Sequence, residues 1–356
     1  MYLWWLLLAF AFPTDAAGAF PTDAAGKTAR VNGTGPDHGA LDVKAYKGGC
    51  RGFRATPTFS LEGNCGPPER LSPALTRKLY FFAWVSGHDT ALLRHFLGFY
   101  AARGVAFQEP GRAKLVVSPL TASSHAVLRE FVHASNIHGK PQLNATNKRD
   151  AANAYLRKLP AGRFLMYPDL DEFFDLPSAL LDEALVRGDG FVLGTMVDRV
   201  ASDWSLPDLS DGPLWSQFPR RCFATDRLFG GHTRKWILVP TRWQGRPPQF
   251  VSNQKLQSDH RLKVALKDTQ SSLLCYGFSH YRFGAKSVAL LRDKLAVYGK
   301  GRPNNDFYER VRGYLADREG TAGALSGAFQ QSVQCLENCP ASPPPHTPVA
   351  DRRPLA

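Results

Sequence analysis

The chain has 356 residues, of which 44% are hydrophobic and 21% charged, so one large or two modest domains can bury a sizeable core. Lys and Arg number 44 against 31 Asp and Glu, and the net charge of +13 favours anionic partners such as nucleotide phosphates, acidic glycans or a membrane surface. The sequence has no Gly triplet period, no sustained heptad and only one long apolar run, which excludes collagen, a coiled coil and a polytopic membrane protein.

The N-terminus indicates entry into the secretory pathway. Residues 2–12 form an apolar run that is too short for a membrane span of about 20 residues and that fits a signal peptide, although no Lys or Arg precedes it. A mis-assigned start or a buried strand is the alternative. The unit at 11–18 recurs at 19–26 and predicts a duplicated linker. Sequons at Asn32 and Asn144 agree with a protein that is secreted or resides in the Golgi lumen, with membrane association through the N-terminus left open.

The cysteine count is even, which favours disulfides in an oxidising compartment over free thiols in the cytosol. Cys50 and Cys65, and likewise Cys335 and Cys339, stand in Gly- and Pro-rich flanks, where a short closed loop would stabilise chain that has little core. We therefore expect these neighbours to pair. No two pairs have the spacing of a zinc ribbon, so a thiolate metal site is disfavoured.

Strand and helix patterns alternate from residue 77 onward. Residues 79–86 are aromatic and apolar, as in a buried strand, and Asp89 or Thr90 can cap a helix that runs to Arg103 and stops at Gly104. The patterns that follow predict strands at 115–118 and 164–167 and helices at 123–135 and 148–159. The alternation predicts an α/β fold, with a mainly parallel sheet flanked by helices and ligands bound beyond the carboxyl ends of the strands.

Composition divides the chain into five parts. We predict an N-terminal segment with its linker at 1–26, a Cys-containing stem at 27–76, the α/β domain at 77–302, a helical extension at 303–338 and a Pro-rich tail at 339–356. Within the α/β domain, residues 168–190 are strongly acidic, whereas residues 219–302 are strongly basic. We expect the basic stretch to line part of a cleft for an anionic substrate.

The acidic stretch begins where a predicted strand ends. Asp169, Asp171 and Glu172 follow the apolar residues 164–167, and acids this close repel one another unless a cation lies between them. Hard divalent ions prefer carboxylate oxygens, so a metal site is indicated. If the strand continued, Asp169 and Asp171 would share a face, and Glu172 would point away to pair with a basic residue or cap the next helix. Helix capping is the alternative, and it accounts for Asp175 alone.

These residues resemble the nucleotide-sugar site of glycosyltransferases with the Rossmann-like GT-A fold, which place Asp-x-Asp after a strand. Asp169-Leu-Asp171-Glu172-Phe-Phe is similar to family 92 and its family 2-like relatives, and Phe278-Ser-His280-Tyr281-Arg282 resembles their late His-Tyr-Arg motif. Residues 92–104, 197–199 and 217–219 also resemble family segments, so the likeness spans about residues 78–300. The loop Ser86-Gly87-His88-Asp89 departs from it, because many relatives have Asn-Glu there, and this difference bears on base recognition.

The resemblance implies a metal-dependent, inverting transfer of a sugar from a nucleotide-sugar, a UDP-sugar, to a glycan or glycoconjugate acceptor. Asp169 and Asp171 would hold Mn²⁺ or Mg²⁺, which neutralises charge on the leaving diphosphate. His280 would be a late metal or phosphate contact, and Arg282 and Lys286 would bind the diphosphate. For these three residues, a histidine beside aromatics and a solvated basic face are the alternatives. No nucleic-acid motif is present.

An inverting transfer also needs a general base. The candidates are the four aspartates after the metal motif, namely Asp198, Asp203, Asp208 and Asp211. Asp198 is slightly preferred because it follows the apolar run at 191–197 and so lies near a strand end; a salt bridge to Arg199 is the alternative. Four tryptophans would either stack on sugar rings or lie in the core, namely Trp204, Trp215, Trp236 and Trp243.

Three other functions compete with sugar transfer. A glycoside hydrolase needs two carboxylates about 5 to 10 Å apart across the bond that it cleaves, and metal dependence would distinguish it. A secreted basic protein that binds acidic glycans would explain the basic stretch but has no use for the acidic one. An inactive relic of a glycosyltransferase is the third, because the first loop is altered.

Overall fold

The computed structural model describes residues 66–140, 145–187, 191–225, 234–243, 245–252, 255–256, 274–286, 288–289, 291–292, 295, 327–333, 335 and 339. The predicted signal segment and repeats, both sequons, Cys50, Cys65, most of the helical extension and nearly all of the Pro-rich tail lie outside these residues. None of the helices in the described ranges is long and apolar enough to cross a membrane.

Helices and strands alternate along most of the described chain. The helices are α1 (Pro73–Lys78), α2 (Thr90–Ala102), α3 (Ala122–Phe131), α4 (Ala145–Lys158), α5 (Ser178–Arg187), α6 (Leu214–Gln217) and α7 (Gly327–Ser332), with a 3₁₀ turn at Ala134–Asn136. The strands are β1 (Leu79–Ser86), β2 (Ala113–Ser118), β3 (Ile137–Gly139), β4 (Phe164–Met166), β5 (Glu172–Phe173), β6 (Val192–Val200), β7 (Arg220–Cys222), β8 (Arg234–Pro240), β9 (Phe250–Ser252), β10 (Lys255–Leu256) and β11 (Leu274–His280).

Nine of these strands form one sheet in the order β3-β2-β1-β4-β8-β6-β11-β5, and β7 pairs with β6. The pairings make β1, β2, β3, β4, β6 and β11 run in one direction, while β5, β7 and β8 run in the opposite one. The predicted α/β fold with a mainly parallel sheet is therefore confirmed. Strand β8 runs antiparallel to its neighbours β4 and β6, so the first residues of β8 lie at the edge of the sheet where β4 and β6 end.

The central strand β1 is buried on both faces, which explains its unbroken apolar sequence. Phe81, Ala83 and Val85 belong to one core cluster, whereas Phe82 and Trp84 belong to another on the opposite face. The first cluster includes the apolar stripe of α2, and the second includes the buried side of α4. Helices therefore pack on both faces of the sheet around β1.

Local signals set the bounds of α2 as predicted. The Asp89 side chain accepts a hydrogen bond from the Leu92 amide at 3.3 Å, and Gly104, with φ of +91°, follows the helix in a conformation that favours glycine. The next helix, α3, ends at Phe131, four residues earlier than predicted. Val132 there adopts an extended conformation, and the amide of His133 bonds the Phe107 carbonyl at 3.0 Å instead of continuing the helix.

A disulfide ties the C-terminal segment to the sheet. It joins Cys222 of β7 to Cys335, 113 residues away in sequence. The expected pairing of Cys335 with Cys339 is therefore wrong, because the chain at Cys335 forms an antiparallel backbone bridge with Cys222 of β7. Cys339 is disulfide-bonded as well, to a partner that is not described. In the chain-entropy account, a disulfide that closes a loop this long restricts the unfolded chain more than a local one does.

Candidate functional site

The acidic motif forms a turn beyond the end of β4. The strand ends at Met166, and Pro168 has no amide hydrogen with which to extend the ladder. The amide of Glu172 donates to the Asp169 carbonyl at 3.1 Å and closes the turn. The expectation that Asp169 and Asp171 share one face of a continuing strand is therefore wrong. Carboxylate oxygens of Asp169, Asp171 and Glu172 nevertheless lie within 4.8 Å of one another.

Two lysines compensate the charge of Asp169 and Glu172. Lys148 of α4 pairs with Asp169, and Lys235 of β8 pairs with Asp169 at 2.9 Å and with the fully buried Glu172. The Asp169 amide also donates to Glu172 Oε2 at 2.9 Å. The prediction that Glu172 pairs with a basic residue is confirmed. Burial lowers the pKa of Lys235 to about 7, although the charge of Asp171 opposes this effect.

Asp171 contacts two residues at or just after the end of β11. Its Oδ2 lies 3.1 Å from His280 Nε2 and 3.2 Å from a terminal nitrogen of Arg282. Antiparallel pairing of β5 with β11 sets this meeting, since His280 is opposite Glu172, and the Tyr281 amide donates to the Asp171 carbonyl at 2.8 Å. Burial alone would raise the pKa of Asp171, but the electrostatic effect of His280 and Arg282 outweighs it and holds the pKa well below its usual range.

His280 is held from behind by Asp198. The two residues are directly opposite in the parallel pair β6–β11, and His280 Nδ1 lies 2.6 Å from Asp198 Oδ1. The backbone amide and the hydroxyl of Thr225 each donate to Asp198 at 2.6 Å. Asp198 and His280 are both fully buried. The contacts of both carboxylate oxygens of Asp198 therefore lie inside the protein.

A second buried network supports the same strand end. Asp175 accepts hydrogen bonds from the Ser279 amide at 3.1 Å and from its hydroxyl at 2.5 Å. Burial raises the pKa of Asp175, although the Arg199 charge opposes this. The fully buried Arg199 donates to Ser279 Oγ at 2.9 Å and to Cys339 Sγ at 2.8 Å. Asp175 thus fixes Ser279, the residue before His280.

A cleft of about 180 Å³ opens beside Asp171. Its wall includes Asp89 at the start of α2, Asp208, Arg282 and Lys286, and Lys286 Nζ lies 3.1 Å from Asp89 Oδ1. Two cations of the predicted basic stretch therefore line a cleft at the carboxyl ends of the strands. Among the four candidate bases, all of them described, Asp208 is the one that lines this cleft.

The structure brings the six predicted site residues to one edge of the sheet, but at different depths. Asp171, Arg282 and Lys286 line the cleft, Asp169 and His280 contact other residues of the acidic cluster, and Asp198 lies behind His280. Of the candidate stacking tryptophans, Trp236 and Trp243 pack against Phe191, and Arg220 lies over Trp204.

Sequence reasoning missed Lys148, Lys235 and Thr225. Lys148 begins the predicted amphipathic helix at 148–159, where a lysine indicates a solvated face. Lys235 was counted with the basic stretch, and its place at the acidic turn depends on the antiparallel direction of β8. The contact between Lys235 and Glu172 can be inferred only from the strand order, since 63 residues separate the two in sequence.

No protein-family model matches the chain, and no curated protein matches it. Weak similarities exist to solved structures. One is 4-diphosphocytidyl-2C-methyl-D-erythritol synthase, at 16% identity and a TM-score of 0.28, over 56% of this chain and 88% of that one. Another is a protein from Desulfovibrio desulfuricans G20 assigned as a nucleotide-diphospho-sugar transferase, at 10% identity and a TM-score of 0.25, over 67% and 96%.

A third is residues 1–349 of S. aureus TarS, at 11% identity and a TM-score of 0.27, over 71% of this chain and 77% of that one. Similarities as weak as these do not assign a family or an activity to this chain. The fold class therefore rests on its own strand order, and membership of family 92 stays a prediction.

Proposed function

We propose that this protein transfers a sugar from a nucleotide-sugar to a hydroxyl of a glycan or glycoconjugate. The observation that carries the proposal is the meeting of the Asp169–Glu172 turn with His280 and Arg282 beside a cleft at the carboxyl ends of the strands. Ligands of open α/β sheets bind at this edge. The motif resemblance to family 92 gives the same assignment from sequence.

The cations of the cleft suit a diphosphate leaving group. Arg282 presents a planar guanidinium, and Lys286 is about half exposed at the opposite end of the same loop. Both are paired with carboxylates, Arg282 with Asp171 and Lys286 with Asp89. A bound diphosphate would share these cations, and charge-assisted hydrogen bonds from them would stabilise the negative charge that develops as the sugar leaves.

The acidic cluster fits a divalent cation by the type and closeness of its oxygens. Asp171 and Asp169 would hold the ion, and its chemistry would be to neutralise charge on the diphosphate. Lys235 contacts oxygens of the same cluster, so the ion would compete with Lys235 for Asp169. His280 would remain in contact with Asp171 and fix the direction of its carboxylate. Mn²⁺ and Mg²⁺ both suit this donor set.

Asp198 and Asp208 take different roles in this proposal. An acceptor hydroxyl has no access to a fully buried carboxylate, so Asp198 positions His280 and is not the base. Asp208 is exposed and lines the cleft with Asp171. We therefore assign to Asp208 the acceptance of the proton from the attacking hydroxyl, with the bond between the sugar and the diphosphate breaking as the new glycosidic bond forms.

The site of action proposed is the lumen of the secretory pathway. The Cys222–Cys335 disulfide supports it, because such bonds persist in oxidising compartments. A disulfide is compatible with residence in the Golgi and with secretion, so the proposal includes both. Enzymatic release of N-linked glycan from protein produced in a eukaryotic cell would distinguish a luminal protein from a cytosolic one.

A thermal-shift panel of nucleoside diphosphates with and without Mn²⁺ tests the function. We expect one diphosphate, UDP, to raise the melting temperature in the presence of Mn²⁺, and the shift to be absent in Asp171→Asn. Asp150→Asn, at an exposed carboxylate of α4, is the matched control and should retain the shift. Binding of acidic glycans with no response to any diphosphate would instead support the alternative of a glycan-binding protein.

A further inference from the structure

The edge of the sheet opposite the candidate site carries an ordered set of basic residues. The residue directly before each of three adjacent parallel strands is a cation: Lys78 before β1, Arg112 before β2 and Arg163 before β4. Parallel strands that lie side by side begin at the same edge, so the topology brings the three together. Six residues separate Arg163 from Asp169, so the acidic turn lies at most roughly 20 Å away, at about 3.3 Å per residue.

Two cavities lie at this edge. The first, of about 560 Å³, is lined by these three cations together with Thr76, Arg77 and Glu109. The second, of about 670 Å³, is lined by Arg70, Ser72 and their neighbours and shares Thr76 and Arg77 with the first. Glu109 is the one acid among the described residues that line either cavity. Five cations therefore surround two adjoining spaces.

The cations differ in how firmly the fold holds them. Arg112 donates to the Thr76 carbonyl at 2.6 Å and lies over the Tyr80 ring, so the fold itself positions it. Arg77 and Lys78 are exposed. The Nε of Arg163 is buried and has no hydrogen-bond partner among the described residues. A buried donor without a partner is costly, yet the fold keeps the charged Arg163 side chain beside the first cavity.

We infer that these two cavities bind a linear polyanionic glycan, with one sulfate or phosphate group in each. Two adjoining spaces that share Arg77 suit anionic groups repeated along a chain better than one isolated ion. No aromatic side chain lines either cavity in the described part of the chain, so nucleobases would find no stacking surface. The cations line concave spaces, which suits discrete groups better than the plane of a membrane. The inference does not rest on sugar transfer.

The test measures binding of a fluorescently labelled, fully sulfated heparin hexasaccharide to the full chain by anisotropy. The cavity variant is Arg77→Gln, Lys78→Gln and Arg163→Gln. The control removes three exposed charges elsewhere, by Arg129→Gln, Lys140→Gln and Arg157→Gln. We expect the cavity variant to bind roughly tenfold more weakly and the control to lose less than about twofold, because the control charges lie outside both cavities and act only through screened, long-range attraction.

Equal losses in the two variants would show only long-range attraction to a basic protein and overturn the inference. Failure of the unmodified chain to bind the hexasaccharide would do the same. A ten-nucleotide uridine RNA, or vesicles of phosphatidylserine and phosphatidylcholine, bound more tightly through the same residues would replace the glycan with another partner. If Arg163→Gln prevents folding, Arg77→Gln with Lys78→Gln must still weaken binding, because both residues are exposed. Binding of UDP and Mn²⁺ should be unchanged throughout.

Discussion

His280 lies between two carboxylates, with Nδ1 2.6 Å from Asp198 Oδ1 and Nε2 3.1 Å from Asp171 Oδ2. Asp198 is anchored by Thr225, and Asp171 faces the cleft. These contacts connect the buried Thr225 to Asp171 at the cleft through one imidazole. A carboxylate that orients a histidine from behind is a frequent arrangement where the histidine must present a fixed nitrogen.

Replacement of Asp198 by Asn tests this arrangement. The Asn side chain keeps one acceptor but loses the charge, so one of the contacts with Thr225 or His280 fails inside the protein. We expect the free energy of unfolding to fall by about 1 to 3 kcal/mol, the cost of a buried unsatisfied group. Urea denaturation measures the loss. Thr225→Val should lower stability in the same direction, and full stability of both variants would contradict the positioning role.

Asp208→Asn should separate chemistry from folding. Since Asp208 is exposed and lines the cleft, we expect its loss to lower kcat by about a hundredfold or more, the usual contribution of a general base, while the melting temperature stays unchanged. Steady-state transfer assays measure it. Asp211→Asn, at an exposed position close in sequence, is the control and should keep its kcat. Equal activity of the two variants would remove Asp208 from the mechanism.

Lys235→Met tests whether Lys235 and a metal ion compete for the carboxylates of the acidic cluster. The change leaves buried Glu172 and Asp169 without one of their cations, which costs about 3 kcal/mol or more in comparable buried pairs. We expect a lower melting temperature without metal and a larger rise on addition of Mn²⁺ than in the unmodified chain. Lys140→Met, at an exposed site, should show neither effect. An identical response to Mn²⁺ in all three proteins would argue against competition between Lys235 and the ion.

Three substitutions in the acidic turn should differ in their effects on turnover and on stability. Asp171→Asn keeps the side-chain size and should abolish Mn²⁺-dependent nucleotide-sugar turnover with the fold intact, because Asp171 faces the cleft. Asp169→Asn should be severe but less complete, since Lys148 and Lys235 hold it away from the cleft lining. Glu172→Gln should chiefly lower stability, because Glu172 is fully buried. An active Asp171→Asn beside a folded, inactive Glu172→Gln would favour a hydrolase.

Removal of the Cys222–Cys335 disulfide by a double change to Ser should lower stability by about 2 to 5 kcal/mol, the usual cost for a native bridge. Thermal unfolding under oxidising and reducing conditions measures it. The unmodified chain should lose stability on reduction by at least as much as the variant has already lost. A melting temperature that is the same in the variant and in the oxidised, unmodified chain would show that the bridge adds nothing.

Sequence patterns predicted what depends on local physics. The bounds of β1 and the cap at Asp89 follow from burial on both faces and from a carboxylate placed before a helix. Pro168 also indicates the end of β4 before Asp169, because a residue without an amide hydrogen interrupts the ladder. The contacts of Lys235 could not be predicted from sequence, because they depend on β8 lying antiparallel between β4 and β6.

The cysteines show the same division. Nearness in sequence favoured Cys335 with Cys339, whereas the observed bridge to Cys222 depends on where the C-terminal segment returns to the sheet. The apolar run before Asp198 correctly predicts that this residue lies near a strand end, but it does not show that the side chain is fully buried. Burial of that residue is set by Thr225 and by β11, both of which are distant in sequence.

The contact between Arg199 and Cys339 makes the C-terminal end part of the site. Arg199 reaches the Cys339 sulfur and, through its Nε, the hydroxyl of Ser279, whose neighbour is His280. A shortened protein that stopped at residue 302 would retain every residue of the acidic turn and the cleft. It would still lose the bridge to Cys222 and the sulfur that Arg199 binds, so the buried guanidinium beside Ser279 would lose one of its hydrogen-bond acceptors. Expression boundaries for this protein therefore belong beyond residue 339.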